Sequence, residues 1–300
     1  MTGLTDLYPG YGTNFFDTSA GKIFVRTGGK GSPVLLLHGY PQTNVMWHRV
    51  APRLAEQHSL VIADLPGYGQ SDAPEARADH SPYTKRAMAK AMVEAMEQLS
   101  HKKFAVVGHD RGGRVAYRMA LDHPERVTRL STLDIIPTWE MWDKMSAQRA
   151  MRVFHWTFLA QPYPLPEMLI GKAPIEYMEW KMLAWNGSKS NSIFDTRAFD
   201  HYRAAFVQPE RIHAMCEDYR AGQSTDVTID DADVKAGRKI ECPLLALWGT
   251  RGIPSIGEGP LDVWRRWAHD VRGKAIDCGH FLVEENPDDT LAELLPFLRT

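Results

Sequence analysis

The chain has 300 residues, 44% hydrophobic and 24% charged, the proportions of an ordinary globular protein able to bury a sizeable core. Its net charge of −2, from 35 Lys and Arg against 37 Asp and Glu, supplies no long-range field for nucleic acid or an acidic membrane surface. Three scattered cysteines, Cys216, Cys242 and Cys278, form no CxxC pair and argue against a disulfide framework or a zinc cluster. The opening Met1-Thr2-Gly3-Leu4-Thr5-Asp6 has no basic region followed by an apolar one, and no run nears the roughly 18 apolar residues of a membrane helix, so a cytoplasmic setting is expected.

Strands are predicted at 22–26, 33–37, 60–63, 104–107 and 127–133. Their continuous apolar runs suit strands buried on both faces, as in a parallel sheet. A helix is predicted over 84–99, where Met88, Met92, Met96 and Leu99 form one apolar stripe. The alternation of strand and helix argues for an open α/β sandwich with right-handed crossovers. From about 137 to 235 the pattern becomes helical and dense in aromatics, among them Trp139, Trp142, Phe154, Trp156, Phe158, Trp180 and Trp185. Strand patterns return at 243–249 and 273–277, and a last helix is predicted at 288–298. The expected organisation is an α/β core of residues 1–136 and 236–300, interrupted by a helical cap at 137–235.

The most informative residues are Gly108-His109-Asp110-Arg111-Gly112, a G-x-D-x-G between a buried strand and a helix. In that context G-x-S-x-G is a nucleophile elbow, with glycines keeping side chains out of the crowded bend. Here the central residue is Asp. A carboxylate is a poor acyl-transfer nucleophile but suits displacement at a saturated carbon, giving an ester on the enzyme that water can then cleave. The blander reading, an Asp that only caps the following helix, fits the strand–turn–helix context less well.

His280, after the last strand and before the last helix, stands where a general base is expected. Asp134, at the end of the fifth strand, could orient its imidazole. The loop Gly249-Thr250-Arg251-Gly252 after the next strand offers no acid, which strengthens Asp134. His38-Gly39-Tyr40-Pro41 has the form of an oxyanion loop, so the backbone N–H groups of Tyr40 and Arg111 are expected to face the developing oxyanion. Arg111 and Arg114 share one face of the first helical turn, where the helix N-terminus disfavours cations. Asp110 can offset one of these charges. The other is left for an external anion, and a guanidinium fork gripping a carboxylate is the natural expectation. Arg118, one turn on, reads as structural.

With these residues the chain resembles the α/β-hydrolase superfamily and, within it, the fluoroacetate (haloacetate) dehalogenases. The resemblance spans essentially the whole chain. Its specific part is His109-Asp110-Arg111-Gly112-Gly113-Arg114, Leu133-Asp134-Ile135-Ile136-Pro137-Thr138, His155-Trp156 and Asp218-Tyr219-Arg220-Ala221-Gly222. The resemblance implies a mostly parallel eight-stranded sheet, displacement of halide from a 2-haloacid by Asp110, and hydrolysis of the ester by the His280–Asp134 pair. It implies that Arg111 and Arg114 hold the substrate carboxylate, and that His155, Trp156 and Tyr219 donate hydrogen bonds to the leaving halide. It also suggests a homodimer. Trp185 is a further candidate for the pocket wall. No metal or organic cofactor is expected, because His and Cys show no ligand spacing.

The runner-up is an epoxide hydrolase with the same Asp-His-Asp set, which needs two cap tyrosines: Tyr219 with Tyr163, Tyr177 or Tyr202. An epoxide gives Arg114 nothing to bind. A haloalkane dehalogenase for neutral substrates would be expected to carry Trp where Arg111 stands. A non-catalytic receptor would have no need of an intact Asp110, Asp134 and His280, and an esterase would carry Ser at 110.

Overall fold

The apolar runs converge in one sheet. A computed structural model describes residues 3–252 and 258–299. Among them, eight strands form the sheet: β1 (Gly12–Thr18), β2 (Gly21–Gly28), β3 (Ser32–Leu37), β4 (His58–Ala63), β5 (Phe104–His109), β6 (Val127–Leu133), β7 (Leu244–Gly249) and β8 (Val271–Ile276), in the order β1-β2-β4-β3-β5-β6-β7-β8. β1 pairs antiparallel with β2, and β2 with β4; every other pairing is parallel.

The central strands are buried on both faces, as their sequences predict: Leu35–Leu37, Val61–Ala63 and Val106–Val107 are almost wholly enclosed. β1 has no counterpart among the predicted strands. It is an edge strand whose residues are exposed or half-exposed, so it carries no apolar run. β8, at the other edge, begins two residues earlier than predicted because its alternating exposure blurs its start.

The helix Lys85–Gln98 buries Met88, Met92 and Met96, and Thr84 caps it by accepting from the Ala87 N–H. The helix Asp110–Asp122 packs against β5, β6 and Lys85–Gln98, so the elbow is braced from three sides. Between β6 and β7 lie eight α-helices and no strand. Three of them, His155–Leu159, Pro174–Trp185 and Pro209–Gln223, carry aromatic side chains to the carboxyl ends of the parallel strands, where ligands bind in open α/β sheets. Among the described residues no helix is long and apolar enough to cross a membrane.

Candidate active site

At the end of β5 the chain turns so sharply that Asp110 takes φ +46°, a left-handed conformation that Asp tolerates better than most residues. The flanking glycines are required by close approach. A Cβ on Gly112 would lie 2.3 Å from the His38 carbonyl oxygen, and one on Gly108 would lie 2.4 Å from that of Gly112. This crowding presses the elbow against the end of β3. There Tyr40 N–H donates to Asp110 Oδ1 at 2.9 Å. His38 fixes this loop: its Nε2 accepts from the Leu65 N–H at 3.1 Å.

Asp110 Oδ2 faces His280 Nε2 at 3.9 Å. His280 Nδ1 meets Asp134 Oδ2 at 2.5 Å, and Asp134 Oδ1 accepts from the Gly249 N–H at 2.9 Å. Asp134 also has positive φ, +54°, which turns its carboxylate from the end of β6 toward the histidine. The His280 loop is tied on both sides: its N–H donates to the Trp185 carbonyl at 3.0 Å, and its carbonyl contacts His109 Nε2 at 2.8 Å. The three residues predicted to act together are therefore in one line, Asp134–His280–Asp110.

Their protonation follows from the surroundings. Burial alone would raise the Asp110 pKa, but His280, His109, Arg114 and Arg111 more than offset it, so Asp110 lies below its ordinary value and is ionised at neutral pH. Burial alone would lower His280. The hydrogen bond and charge of Asp134, and the charge of Asp110, hold it above its ordinary value. A buried His155 is pushed well below its ordinary value by desolvation, with Lys181 and His280 adding to this, and is neutral.

The two arginines correct one expectation. Arg111 does not hold its fork open for a ligand. Its Nε donates to Asp218 Oδ2 at 2.8 Å, and its Nη2 to Asp218 Oδ1 at 2.6 Å. Only Nη1 remains, buried and without a protein partner. The physical reason is the charge problem visible in the sequence: a cation at a helix N-terminus inside the protein needs a fixed anion, and the helix Pro209–Gln223 delivers one. Arg114 is different. Its Nη1 donates to the Ile136 carbonyl at 3.0 Å and to Thr138 Oγ1 at 3.1 Å, both neutral, and its Nε has no partner. Arg118, as expected, is structural, paired with Asp122 and Asp233.

The three predicted halide donors cluster above Asp110. Tyr219 packs edge-on against Tyr40, His155 and Trp156, with ring centroids 5.5, 5.5 and 6.1 Å away. The Arg111 guanidinium lies over the Tyr219 ring at 4.1 Å and that of Arg114 over Trp156 at 4.4 Å. The Tyr219 hydroxyl and His155 Nδ1 are both buried without a protein partner. Trp185 contacts the His155 and His280 rings at 4.5 and 5.4 Å and lines a cavity of about 290 Å³ with Phe154 and Lys181. Sequence reasoning missed the role of Asp218, although it precedes Tyr219 and the unbalanced arginines were a signal for a buried acid. It also missed His38, for which no signal beyond the loop pattern existed. Among the described residues no cluster of His, Cys, Asp or Glu could hold a metal ion.

A family model described as the alpha/beta hydrolase fold matches residues 32–287. This agrees with the sheet order and gives the class, an α/β hydrolase. A fluoroacetate dehalogenase of Burkholderia sp is 41% identical over 293 residues, 97% of this chain and 95% of that protein. A soluble epoxide hydrolase of Corynebacterium sp. (strain C12) is 32% identical over 273 residues, 90% of this chain and 91% of that protein. A solved structure from Nostoc sp PCC 7120, described as an α/β hydrolase, superposes with a TM-score of 0.93 at 45% identity, covering 96% of this chain and 98% of that one. The chain belongs to the fluoroacetate dehalogenase family of the α/β-hydrolase superfamily.

Proposed function

We propose that this carbon–halide hydrolase converts fluoroacetate and related 2-haloacids to 2-hydroxy acids, with glycolate and fluoride as products from fluoroacetate. The reading rests above all on the two unlike oxygens of Asp110: Oδ1 is held by the Tyr40 N–H, and Oδ2 faces His280. Oδ2 attacks the α-carbon from the side opposite the halogen. The carbon–halogen bond breaks, halide leaves, and an aspartyl ester forms with inversion at a chiral α-carbon. His155, Trp156 and Tyr219 stabilise the charge growing on the halide. Arg111 Nη1 and Arg114 hold the substrate carboxylate.

Ester formation removes the Asp110 charge that raises His280, so the imidazole is more readily neutral when it is needed as a base. Water then gives a proton to His280 Nε2 and attacks Cγ of Asp110. Negative charge collects on Oδ1, in reach of the Tyr40 N–H and, at the start of the helix, the Arg111 N–H. As this intermediate collapses the Cγ–Oδ2 bond breaks, Oδ2 leaves in the hydroxy acid and takes the His280 proton, and the Asp110 carboxyl, now carrying the water's oxygen, sheds the water's second proton to solvent and is again a carboxylate. The same reading has the protein act as a cytoplasmic homodimer, without a cofactor, on a free small acid beneath a cap spanning 137–235.

The epoxide reading has the Corynebacterium relative in its favour. Against it, Tyr163 is exposed, the Tyr202 hydroxyl is committed to Glu284 at 3.0 Å, and the Tyr177 ring packs on Phe158 and Phe206. None of the three is in ring contact with Tyr219. The test is fluoride-electrode detection of ion release from fluoroacetate, with Asp110→Asn as control. Release by the wild type alone is expected. Absence of release, with chloroacetate also inert, overturns the reading and directs attention to epoxides.

A further inference from the structure

The two arginines face the ligand with unequal charge. The carboxylate of Asp218 takes Nε and Nη2 of Arg111 at 2.8 and 2.6 Å, and the Asp218 carbonyl takes Nη2 again at 2.8 Å. Asp218 is fully buried, and its other contacts hold it still: Tyr68 Oη donates to Oδ2 at 2.8 Å, and Lys85 Nζ donates to Oδ1. Lys85 is itself matched by Asp226, at 3.2 Å from Nζ, while the Lys85 N–H donates to the same carboxylate at 2.8 Å. Arg111–Asp218 and Lys85–Asp226 are thus two neutral pairs beneath the site. Arg114 donates to a carbonyl and a hydroxyl and lies over the Trp156 ring, and among the described residues no carboxylate is within ion-pair distance of it.

We infer that Asp218 is a positioning residue that splits the work of the two arginines: it neutralises and aims Arg111, which offers a carboxylate ligand one directed N–H, and leaves Arg114 to supply the net positive charge. The inference rests on the haloacid reading and deepens it. The consequence is chemical. An anionic substrate must approach an ionised Asp110, and two carboxylates in a dry pocket repel. An uncompensated Arg114 offsets that repulsion. A free Arg111 would not serve as well, because its charge already acts on Asp110, and a guanidinium drawn onto that carboxylate would block the nucleophile. Asp218 keeps Arg111 off it.

The experiment measures dissociation constants by calorimetry for glycolate and for its neutral analogue glycolamide, so no turnover is needed. The ratio of the two affinities reads carboxylate recognition, and a general loss of structure would weaken both ligands alike. Arg114→Gln is expected to reduce the preference for glycolate by about 10- to 100-fold, the range for a charge-assisted hydrogen bond. The charge-neutral double variant Arg111→Gln/Asp218→Asn is expected to stay within about fivefold of wild type, as for a single uncharged hydrogen bond. Arg111→Lys, which keeps the ion pair but not the directed N–H, is expected to match the double variant and serves if that protein does not fold. Asp218→Asn alone is expected to lower kcat, and addition of Arg111→Gln to restore part of it. Equal loss of preference in Arg114→Gln and in either Arg111 variant overturns the division of labour. A wild type that does not prefer glycolate overturns the haloacid reading and this inference together, whereas a preference that all variants lose equally overturns only the inference.

Discussion

Replacing Tyr219 by Phe should move activity and stability in opposite directions. The ring is held by its neighbours: Arg111 lies 4.1 Å over its face, and Tyr40 and His155 meet it edge-on at 5.5 Å. Phe keeps all of these contacts. Only the hydroxyl is lost, and it is buried without a protein partner. A buried hydroxyl left unpaired costs about 1–3 kcal/mol, and water entering the pocket relieves part of this. Tyr219→Phe should therefore be as stable as wild type or up to ~1 kcal/mol more stable, a rise in Tm of up to ~2 °C for a chain of this length. Activity should fall. A hydrogen bond to a developing halide is charge-assisted, worth about 1.5–3 kcal/mol, so defluorination slows by roughly 10- to 150-fold. Single-turnover fluoride release is the appropriate assay, because steady-state rates mix in hydrolysis of the ester. Chloroacetate should suffer less, since chloride is the weaker acceptor. Wild-type fluoride release from Tyr219→Phe would refute the reasoning, as would a loss of more than ~1 kcal/mol of stability.

Asp134→Asn removes both the hydrogen bond and the charge that raise His280, while the burial that lowers it stays. The acid limb of the pH–rate profile, which His280 is expected to set, should shift to lower pH than in the wild type, and kcat should drop by on the order of 10⁴. His280→Gln should form the ester and fail to cleave it, so intact-protein mass spectrometry should find an adduct on Asp110 after exposure to haloacid. Gly112→Ala brings a methyl within 2.3–2.5 Å of two β3-end carbonyl oxygens and should cost about 3 kcal/mol by urea unfolding, with activity lost through the displaced elbow. Glu284, fully buried between Gln42 and Tyr202, is raised by burial to about 8 from 4.5. Its folded state holds the proton more tightly than the unfolded chain, so this contribution is complete below about pH 4.5 and is lost as pH rises toward 8. Glu284→Gln should therefore gain stability relative to wild type as the pH is raised from 5 to 8, read as a widening gap in urea midpoints.

Local chemistry was legible in the sequence wherever a residue's role depends on its neighbours in the chain. The elbow is one such place: strand, glycine, acid, glycine and helix are contiguous, and only glycine fits where Gly108 meets Gly112 and where Gly112 crosses the end of β3. The buried strands were legible for the same reason, because a strand covered on both faces must be apolar throughout. β1 was not, since an edge strand needs no such run. The assembly of Asp110, Asp134 and His280 was foreseeable because each follows a strand of the sheet's parallel part, the first two directly and His280 by four residues, and the carboxyl ends of such strands line one edge. What the helices between β6 and β7 do was decided by tertiary structure. Short helices crowded with aromatics can pack in many ways, and the pattern by itself does not single out His155, Trp156 and Tyr219 from Trp139, Phe158 or Trp180. Nor does it show that Asp218, more than a hundred residues from Arg111, occupies that arginine's fork. The sequence demanded a counter-charge for two cations at a helix N-terminus. Which carboxylate satisfies it, and which arginine is left without an acidic partner, follows only once the helix Pro209–Gln223 brings Asp218 to Arg111.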